Sequence, residues 1–201
     1  MNCVMTVVQC WDDGVANDAR LTEILRRHGA SASFNLNAGL HHEMKAVYAG
    51  FTIANHSLTH PHLEQLPLAE ARREIVEGRD RLQQFFGQPV LGFAYPYGSY
   101  NEAVMEAVRE AGHVYARTVG NVAHPFPPEN AMAFHPNCHF LADDFWARYE
   151  KARTGGVFYF WGHSYEMTTD PMWAEFEAKI ARISADPAAR WGELPELFAK
   201  K

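Results

Sequence analysis

The chain places two adjacent carboxylates, Asp12 and Asp13, directly after its first apolar segment, in the stretch CWDDG. Adjacent carboxylates repel each other, and a buried carboxylate without a partner is costly. If the segment ends inside the protein, a positive group must therefore lie close to this pair. The other interpretation is an acidic turn that follows a strand and caps the next helix.

Two histidines spaced four residues apart give a second chemical signal, in the stretch NHSLTH. His56 and His60 would share one face of a helical turn, so both imidazoles can bind one ion. Pro61 disfavours further helix, which predicts a short turn rather than a long helix. Taken alone, the spacing also suits two unrelated histidines on a partly exposed helical face.

A divalent cation between Asp13 and the two histidines would offset the repulsion within the acidic pair. One carboxylate and two imidazoles leave an open coordination position, which is typical of catalytic rather than structural zinc sites. The ligand set favours Zn²⁺, although Co²⁺, Ni²⁺ or Fe²⁺ suit the same atoms. Water at the open position becomes a usable nucleophile near neutral pH, and Asp12 is then free to remove its proton.

The segments that must position these residues alternate between predicted strands and predicted helices. The strands are expected at Cys3–Cys10, Ser31–Leu36, Phe51–Ala54, Val90–Tyr95, Val114–Thr118, Ala131–Phe134 and Val157–Trp161. The helices are expected at Asp18–His28, His41–Ala49, Leu68–Phe86, Glu102–Ala111, Ala142–Arg153 and Pro171–Ile183, with one more element at the C-terminal end. This alternation predicts an α/β fold with a parallel sheet, but it does not distinguish a barrel from an open doubly wound sheet.

The polar residues with chemical potential all follow predicted strands. The aspartates follow the first strand, the two histidines follow FTIA, Tyr97 follows LGFAY, and His163 follows FYFW. In a parallel barrel the chemistry lies at the carboxyl ends of the strands. We therefore expect these four segments to converge on one rim.

The motifs and their order resemble the polysaccharide deacetylases, which form the NodB-homology family, or carbohydrate esterase family 4. CWDDG, NHSLTH, AYPYG and FYFWGHS match the first, second, third and fifth motifs of that family. The resemblance spans nearly the whole chain and implies one catalytic domain over residues 1–201, folded as a distorted (β/α)7 barrel. It also implies metal-dependent removal of N-acetyl or O-acetyl groups from an acetylated oligo- or polysaccharide.

The resemblance implies a role for seven residues. These are the catalytic base Asp12, the general acid His163, the metal ligands Asp13, His56 and His60, the oxyanion donor Tyr97 through its backbone N–H, and Trp161 as an apolar wall against the acetyl methyl group.

Two motifs depart from the family pattern. The arginine that often orients the base in the third motif is replaced by Ala94, and we expect Arg117 to supply its charge from the neighbouring strand. The aspartate–tryptophan segment of the fourth motif is not clearly present. Asp144 and Trp146 occur in ADDFWARY, which is better explained as a helix start with an aspartate N-cap.

A further group of chemically versatile residues occurs in HPNCHF, which contains His135, Cys138 and His139. We interpret it as a loop that lines the substrate, because no further ligand is evident in the sequence. A second metal site is the alternative.

Composition limits the classes of partner. The net charge is -6 and no basic run occurs, which argues against a nucleic-acid surface. Apolar stretches are too short to span a bilayer, and no secretory segment is visible, which predicts a cytoplasmic protein if the chain is the native full length. The three cysteines, Cys3, Cys10 and Cys138, have no metal-finger spacing, and Cys3 and Cys10 are expected to be buried apolar residues of one strand.

Two other functions are compatible with the same motifs. The site could act on a small non-sugar amide, or the domain could be a degenerate module that binds a glycan without turnover. The sequence determines neither the glycan, nor the preference for amide or ester, nor the oligomeric state.

Overall fold

The computed structural model describes residues 4–39, 45–122, 126–154 and 156–198. The strands are β1 (Met5–Asp13), β2 (Ser33–Leu36), β3 (Thr52–Asn55), β4 (Gly92–Ala94), β5 (Tyr115–Arg117), β6 (Cys138–His139), β7 (Val157–Gly162) and β8 (Ala189–Trp191). The helices are α1 (Asp18–Arg27), α2 (Leu68–Phe86), α3 (Glu102–Glu110), α4 (Phe145–Ala152), α5 (Asp170–Ser184) and α6 (Leu194–Phe198).

All the strands pair in parallel within one sheet. The order along the sheet is β5-β4-β3-β2-β1-β7-β6, and β8 pairs with the first residues of β1. A parallel bridge between Arg117 and Phe134 extends the pairing from β5 towards the segment that precedes β6. The sheet therefore curls into the distorted, incompletely closed barrel that the motifs implied.

The central strand, β1, is buried on both faces, as parallel strands usually are. Val7 and Trp11 belong to the core between the sheet and the outer helices. Val8 and Cys10 belong instead to the cluster that fills the barrel. Because side chains alternate along a strand, Asp12 continues the row of Val8 and Cys10 and lies over the barrel interior.

Local chemistry sets the ends of the longer helices. Gly87 follows α2 in the left-handed region at φ 70°, where a glycine carries no steric cost. Asn101 precedes α3, and its side chain accepts a hydrogen bond from the Val104 N–H at 2.9 Å. These helix predictions agree with the structure to within a residue.

Four predicted elements differ from the structure by three or more residues. One is the helix expected at Ala142–Arg153, which begins three residues later, at Phe145. The first strand continues through Asp13 instead of ending at Cys10, because β2 pairs with its last four residues. The helix expected at His41–Ala49 is wrong in its described part, since residues 45–50 form turns while Tyr48 anchors the segment in the core. Residues 40–44 lie outside the described chain.

The strand expected at Ala131–Phe134 is reduced to the single bridge at Phe134. The pairing with β7 is made further along the chain, at β6, where Cys138 and His139 lie opposite Phe160 and Trp161. Cys10 is a buried free thiol, as expected, and Cys138 is also buried and free. Cys3 lies outside the described residues.

Among the described helices, none combines the length and apolar character needed to cross a bilayer.

Candidate active site

Asp13, His56 and His60 come together at the carboxyl rim of the barrel. Asp13 is the last residue of β1, and the histidines follow β3. Asp13 Oδ1 lies 3.6 Å from His56 Nε2 and 3.5 Å from His60 Nε2, and the two Nε2 atoms are 3.1 Å apart. The three donor atoms thus form a nearly equilateral triangle.

This triangle fits one divalent cation. Tetrahedral coordination with bonds of about 2.0–2.2 Å places two ligand atoms roughly 3.4 Å apart. The three measured separations bracket that value. The residues present could therefore hold a metal ion without a large rearrangement.

The tautomer of His56 is set by the neighbouring strand. Its Nδ1 lies 2.8 Å from the carbonyl oxygen of Ala94, and because a carbonyl only accepts, Nδ1 must carry the proton. Burial lowers the pKa of His56 below its ordinary value, which favours the neutral ring. Nε2 therefore presents a lone pair towards Asp13, as a metal ligand requires.

Backbone strain is concentrated at the same rim. Among the described residues, four non-glycine residues have a positive φ: Asp13 (76°), Ser57 (68°), His60 (63°) and Tyr97 (57°). Such conformations cost about 1–3 kcal/mol each and are typical of active sites and ligand clamps. All four belong to segments that carry predicted site residues, so the fold holds these segments in place against a local preference.

The turn between the two histidines is held by α2. Buried Glu74 accepts hydrogen bonds from the backbone N–H groups of Leu58 and Thr59 at 3.1 and 2.8 Å, and from the Thr59 hydroxyl at 2.9 Å. Gly78 lets the same helix approach closely, because a Cβ there would lie 3.0 Å from the carbonyl carbon of Ser57. The sequence contained no signal for Glu74, which looks like an ordinary helix residue.

Asp12 is buried beneath the triangle and is paired with a cation. Arg117 Nη2, from the end of β5, contacts Asp12 Oδ2, and Asn35 Nδ2 donates to Asp12 Oδ1 at 2.6 Å. Burial alone would raise the pKa of Asp12, but the Arg117 guanidinium outweighs burial and holds that pKa well below its ordinary value. Asp12 is therefore an ionised carboxylate at neutral pH.

His163 completes the rim from the end of β7. Its Nε2 lies 4.0 Å from Asp12 Oδ2 and 3.8 Å from Asp13 Oδ2. Burial lowers the pKa of His163, but a hydrogen bond with Glu166 and the charge of Asp12 outweigh burial and raise that pKa above its ordinary value. His163 therefore retains a proton more readily than an isolated histidine.

These residues line an open cleft of about 420 Å³, a volume suited to a small ligand or a sugar unit. Its aromatic walls are Tyr95, Tyr97, Trp161 and Tyr165. Tyr97 is 56% exposed and stacks on His62 with ring centroids 3.9 Å apart. Trp161 packs over the Arg117 guanidinium at 4.8 Å, which places its ring between the barrel interior and the cleft.

The structure thus brings all eight residues singled out from the sequence to one rim. Seven of them line the cleft, and Arg117 lies beneath it against Asp12. Sequence reasoning missed Asn35, Glu74 and Glu166. It also interpreted HPNCHF as a loop that lines the substrate, but no residue of this stretch lines the cleft. Cys138 and His139 instead form β6, and His139 Nε2 lies 3.0 Å from Glu166 Oε2.

The fold and the rim cluster define a parallel α/β barrel with a candidate site for a single metal ion. The polysaccharide deacetylase family model matches residues 3–116, which is more than half of the chain. The chain therefore belongs to the polysaccharide deacetylase family.

Solved structures share the fold. A family 4 carbohydrate esterase from Streptomyces lividans, in complex with acetate, superimposes with a TM-score of 0.67 and 20% identity, covering 94% of this chain and 93% of that chain. BA3943 from Bacillus anthracis, a CE4 family pseudoenzyme, gives a TM-score of 0.70 and 18% identity, covering 99% of this chain and 67% of that one.

A Streptococcus pyogenes deacetylase, PplD, in complex with acetate, is 22% identical with a TM-score of 0.58. The superposition covers 63% of this chain and 61% of the Streptococcus pyogenes chain. At these identities the likeness shows the fold. No curated protein sequence matches the chain significantly.

Proposed function

We propose that the chain is a metal-dependent hydrolase that removes acetyl groups from a carbohydrate, with Asp12 as general base and His163 as general acid. The single observation that carries this proposal is the Asp13–His56–His60 triangle beside two further ionisable groups in one open cleft. Membership of the polysaccharide deacetylase family supports the substrate class. Two structural neighbours were solved with acetate, the product of such a reaction.

Asp13, His56 and His60 would hold the ion, for which the ligand types favour Zn²⁺. When bound, a divalent cation supplies Lewis-acid polarisation of a carbonyl and lowers the pKa of water. Asp12, ionised and fixed by Arg117 and Asn35, would accept the proton that the attacking water loses.

Two further groups act on the acetyl group and the leaving atom. The backbone N–H of Tyr97 would donate to the oxygen that becomes negative, as a preorganised dipole. Trp161 would pack against the acetyl methyl group. His163 Nε2 would give its proton to the leaving nitrogen or oxygen, so that the sugar departs neutral.

A non-catalytic glycan-binding domain is the competing function, because the fold is also that of a CE4 family pseudoenzyme. Its support in the sequence was the missing arginine of the third motif. Arg117 supplies a guanidinium in contact with Asp12, so that argument for lost activity no longer applies. A small non-sugar amide remains an alternative substrate for the same residues.

The proposal is tested by acetate release from N-acetyl-chitooligosaccharides, acetylated xylan and a small amide, with the chain loaded with Zn²⁺ and after chelation. We expect release from a carbohydrate, its loss on chelation and its return with Zn²⁺. Asp12→Asn should reduce kcat by about 10²–10⁴-fold, the usual contribution of a general base. It should leave one bound metal ion per chain, as measured by elemental analysis.

Asp170→Asn, an exposed carboxylate at the start of α5, is the matched control and should leave both readouts unchanged. A Zn²⁺-loaded chain that releases no acetate from any of these substrates would refute the proposal. Turnover of the small amide alone would replace the substrate class and keep the site.

A further inference from the structure

Three donors converge on one oxygen of Glu166. Glu166 Oε2 lies 2.8 Å from the backbone N of His163, 3.2 Å from His163 Nδ1 and 3.0 Å from His139 Nε2. Burial raises the pKa of Glu166, but these hydrogen bonds outweigh it and lower the pKa to about 2. The group at the back of His163 is therefore a carboxylate.

The turn after β7 places this carboxylate. Ser164–Glu166 forms a short 3-10 turn that begins directly after His163, and the Glu166 side chain folds back over the start of the turn. His139, at the end of the neighbouring strand β6, reaches the same oxygen of Glu166. Both histidines are thus held by elements of the barrel, rather than by a flexible loop.

The contact determines which nitrogen of His163 faces the cleft. An ionised carboxylate only accepts hydrogen bonds, so His163 Nδ1 must donate to Glu166. Nε2 is the nitrogen that remains, and it points at Asp12 and Asp13 across the cleft. Without Glu166, the His163 ring could rotate, and either of its nitrogens could face the cleft.

The candidate aspartate of the fourth motif does not position His163. Asp144 precedes α4 and pairs with Arg148 at 2.8 Å, on the outside of the barrel. It contacts neither histidine of the cluster. The carboxylate behind His163 is therefore Glu166, three residues after the histidine itself. It lies outside the segment in which the fourth motif is expected.

We propose that Glu166, braced by His139, is the positioning residue that fixes His163 with Nε2–H towards the leaving atom, and that this chain uses it in place of the fourth-motif aspartate. The inference rests on the proposed function. Water's oxygen bonds to the acetyl carbon while one of its protons passes to Asp12 and the carbonyl electron pair moves onto the acetyl oxygen. The C=O bond then re-forms as the C–N bond breaks with its electron pair left on nitrogen. The nitrogen takes the Nε2 proton of a His163 ring protonated on both nitrogens, giving a free amine and acetic acid, which ionises to acetate.

The positioning role predicts a dependence on the leaving group. An amine cannot depart as an anion and needs the proton from His163, whereas 4-nitrophenolate departs without one. Glu166→Gln replaces an acceptor by an amide that can also donate, which allows the wrong tautomer of His163. We expect kcat on an N-acetyl-chitooligosaccharide to fall at least 10²-fold, with kcat on 4-nitrophenyl acetate and both KM values within about threefold.

Two readouts do not depend on turnover. The nitrogen resonances of the His163 ring should show a protonated Nδ1 in the wild-type chain and a mixture of tautomers in Glu166→Gln. Metal content should stay at one ion per chain in both. His139→Asn, which removes only the brace, should give a smaller loss on the amide, and Glu175→Gln, on the exposed face of α5, should change nothing.

An equal loss on both substrates, or an unchanged ring signal, would reduce Glu166 to a structural role and overturn the inference. A second bound ion that is lost in Glu166→Gln would make the His139–Glu166–His163 group a metal site and overturn it as well. Failure of the proposed function has a different signature, because the wild-type chain would then release no acetate from either substrate while its ring signal still tests the placement of Nδ1.

Discussion

At the scale of single residues, the two carboxylates of the acidic pair have different partners. Asp13 faces the two histidines and the candidate ion, whereas Asp12 forms an ion pair with Arg117 inside the barrel. Both partners of this buried pair are almost fully inaccessible. A buried pair is a weak source of net stability, but loss of one partner is expensive because the other charge is left alone.

This asymmetry predicts the outcome of a double-mutant cycle at Asp12 and Arg117. Arg117→Met should lower the free energy of unfolding by about 3–5 kcal/mol, because Asp12 is left buried and unpaired. The double variant Asp12→Asn, Arg117→Met should recover most of that loss. Urea denaturation measures each value, and Arg190→Met, an exposed arginine on β8, is the control.

Activity separates the charge of Arg117 from its shape. Arg117→Lys keeps a cation but lacks the planar fork that fits a carboxylate. We expect kcat to fall by about 10–100-fold with KM and metal content little changed, since Asp12 is then held less firmly. A wild-type kcat in Arg117→Lys would show that the position of Asp12 does not depend on the guanidinium.

At the scale of elements, the metal-ligand turn depends on a helix that contributes no ligand. α2 packs Glu74 and Gly78 against residues 57–59, and Glu74 satisfies two backbone N–H groups inside the strained turn. His60 is held from within the turn by its own N–H, which donates to Ser57 Oγ at 2.9 Å. The helix therefore maintains the separation of the two imidazoles.

Glu74→Ala should weaken Zn²⁺ binding by about 10–100-fold, the usual effect of losing a group that orients a ligand. Competition with a chromogenic chelator measures the Kd, and circular dichroism checks that the helix is retained. Glu70→Ala, which removes an exposed carboxylate one turn earlier in the same helix, should bind Zn²⁺ like the wild-type chain. Equal affinities in both variants would show that the turn keeps its shape without α2.

At the scale of the whole molecule, a buried carboxylate joins distant parts of the chain. Asp18, at the start of α1, accepts hydrogen bonds from the Ser164 hydroxyl at 2.5 Å and the Tyr48 hydroxyl at 2.8 Å. Burial outweighs these contacts and raises the pKa of Asp18 to about 6. The network ties α1 to the turn that follows His163, but it is costly when Asp18 is ionised.

The raised pKa gives a pH dependence of defined sign. Between the ordinary pKa of 3.8 and about 6, the folded chain holds a proton that the unfolded chain has lost. The contribution of Asp18 to stability therefore falls as pH rises through this window and is fully lost above it. Asp18→Asn lacks this loss, so its stability relative to wild type should improve by roughly 2–3 kcal/mol between pH 4 and pH 7.

Urea denaturation at pH 4, 5, 6 and 7 measures the free energy of unfolding of each chain. The other titrating groups are the same in Asp18→Asn and wild type, so their contributions cancel in the difference. Asp170→Asn, which removes an exposed carboxylate at the start of α5, is the control. A stability difference between Asp18→Asn and wild type that does not change with pH would mean that Asp18 titrates normally in the folded chain.

Much of the molecule was determined by local sequence. The apolar runs that form β1 and β7, and the amphipathic period of α1, α2 and α3, are properties of neighbouring residues, so their positions were predictable. The aspartate pair, the spaced histidines and the histidine after β7 lie at the strand ends for the same reason. Parallel pairing alone then requires them to share one rim.

Tertiary structure decided the short strands and the side-chain partners, which the local sequence pattern does not encode. Strands β6 and β8 are two and three residues long and exist only through their pairing with β7 and β1. Arg117 reaches Asp12 across 105 residues, and Glu74 reaches the histidine turn from another helix. Glu166 lies three residues from His163, yet its role depends on the turn and on His139. Sequence fixes the residue types available for catalysis, but their partners are set by distances that only the folded barrel defines.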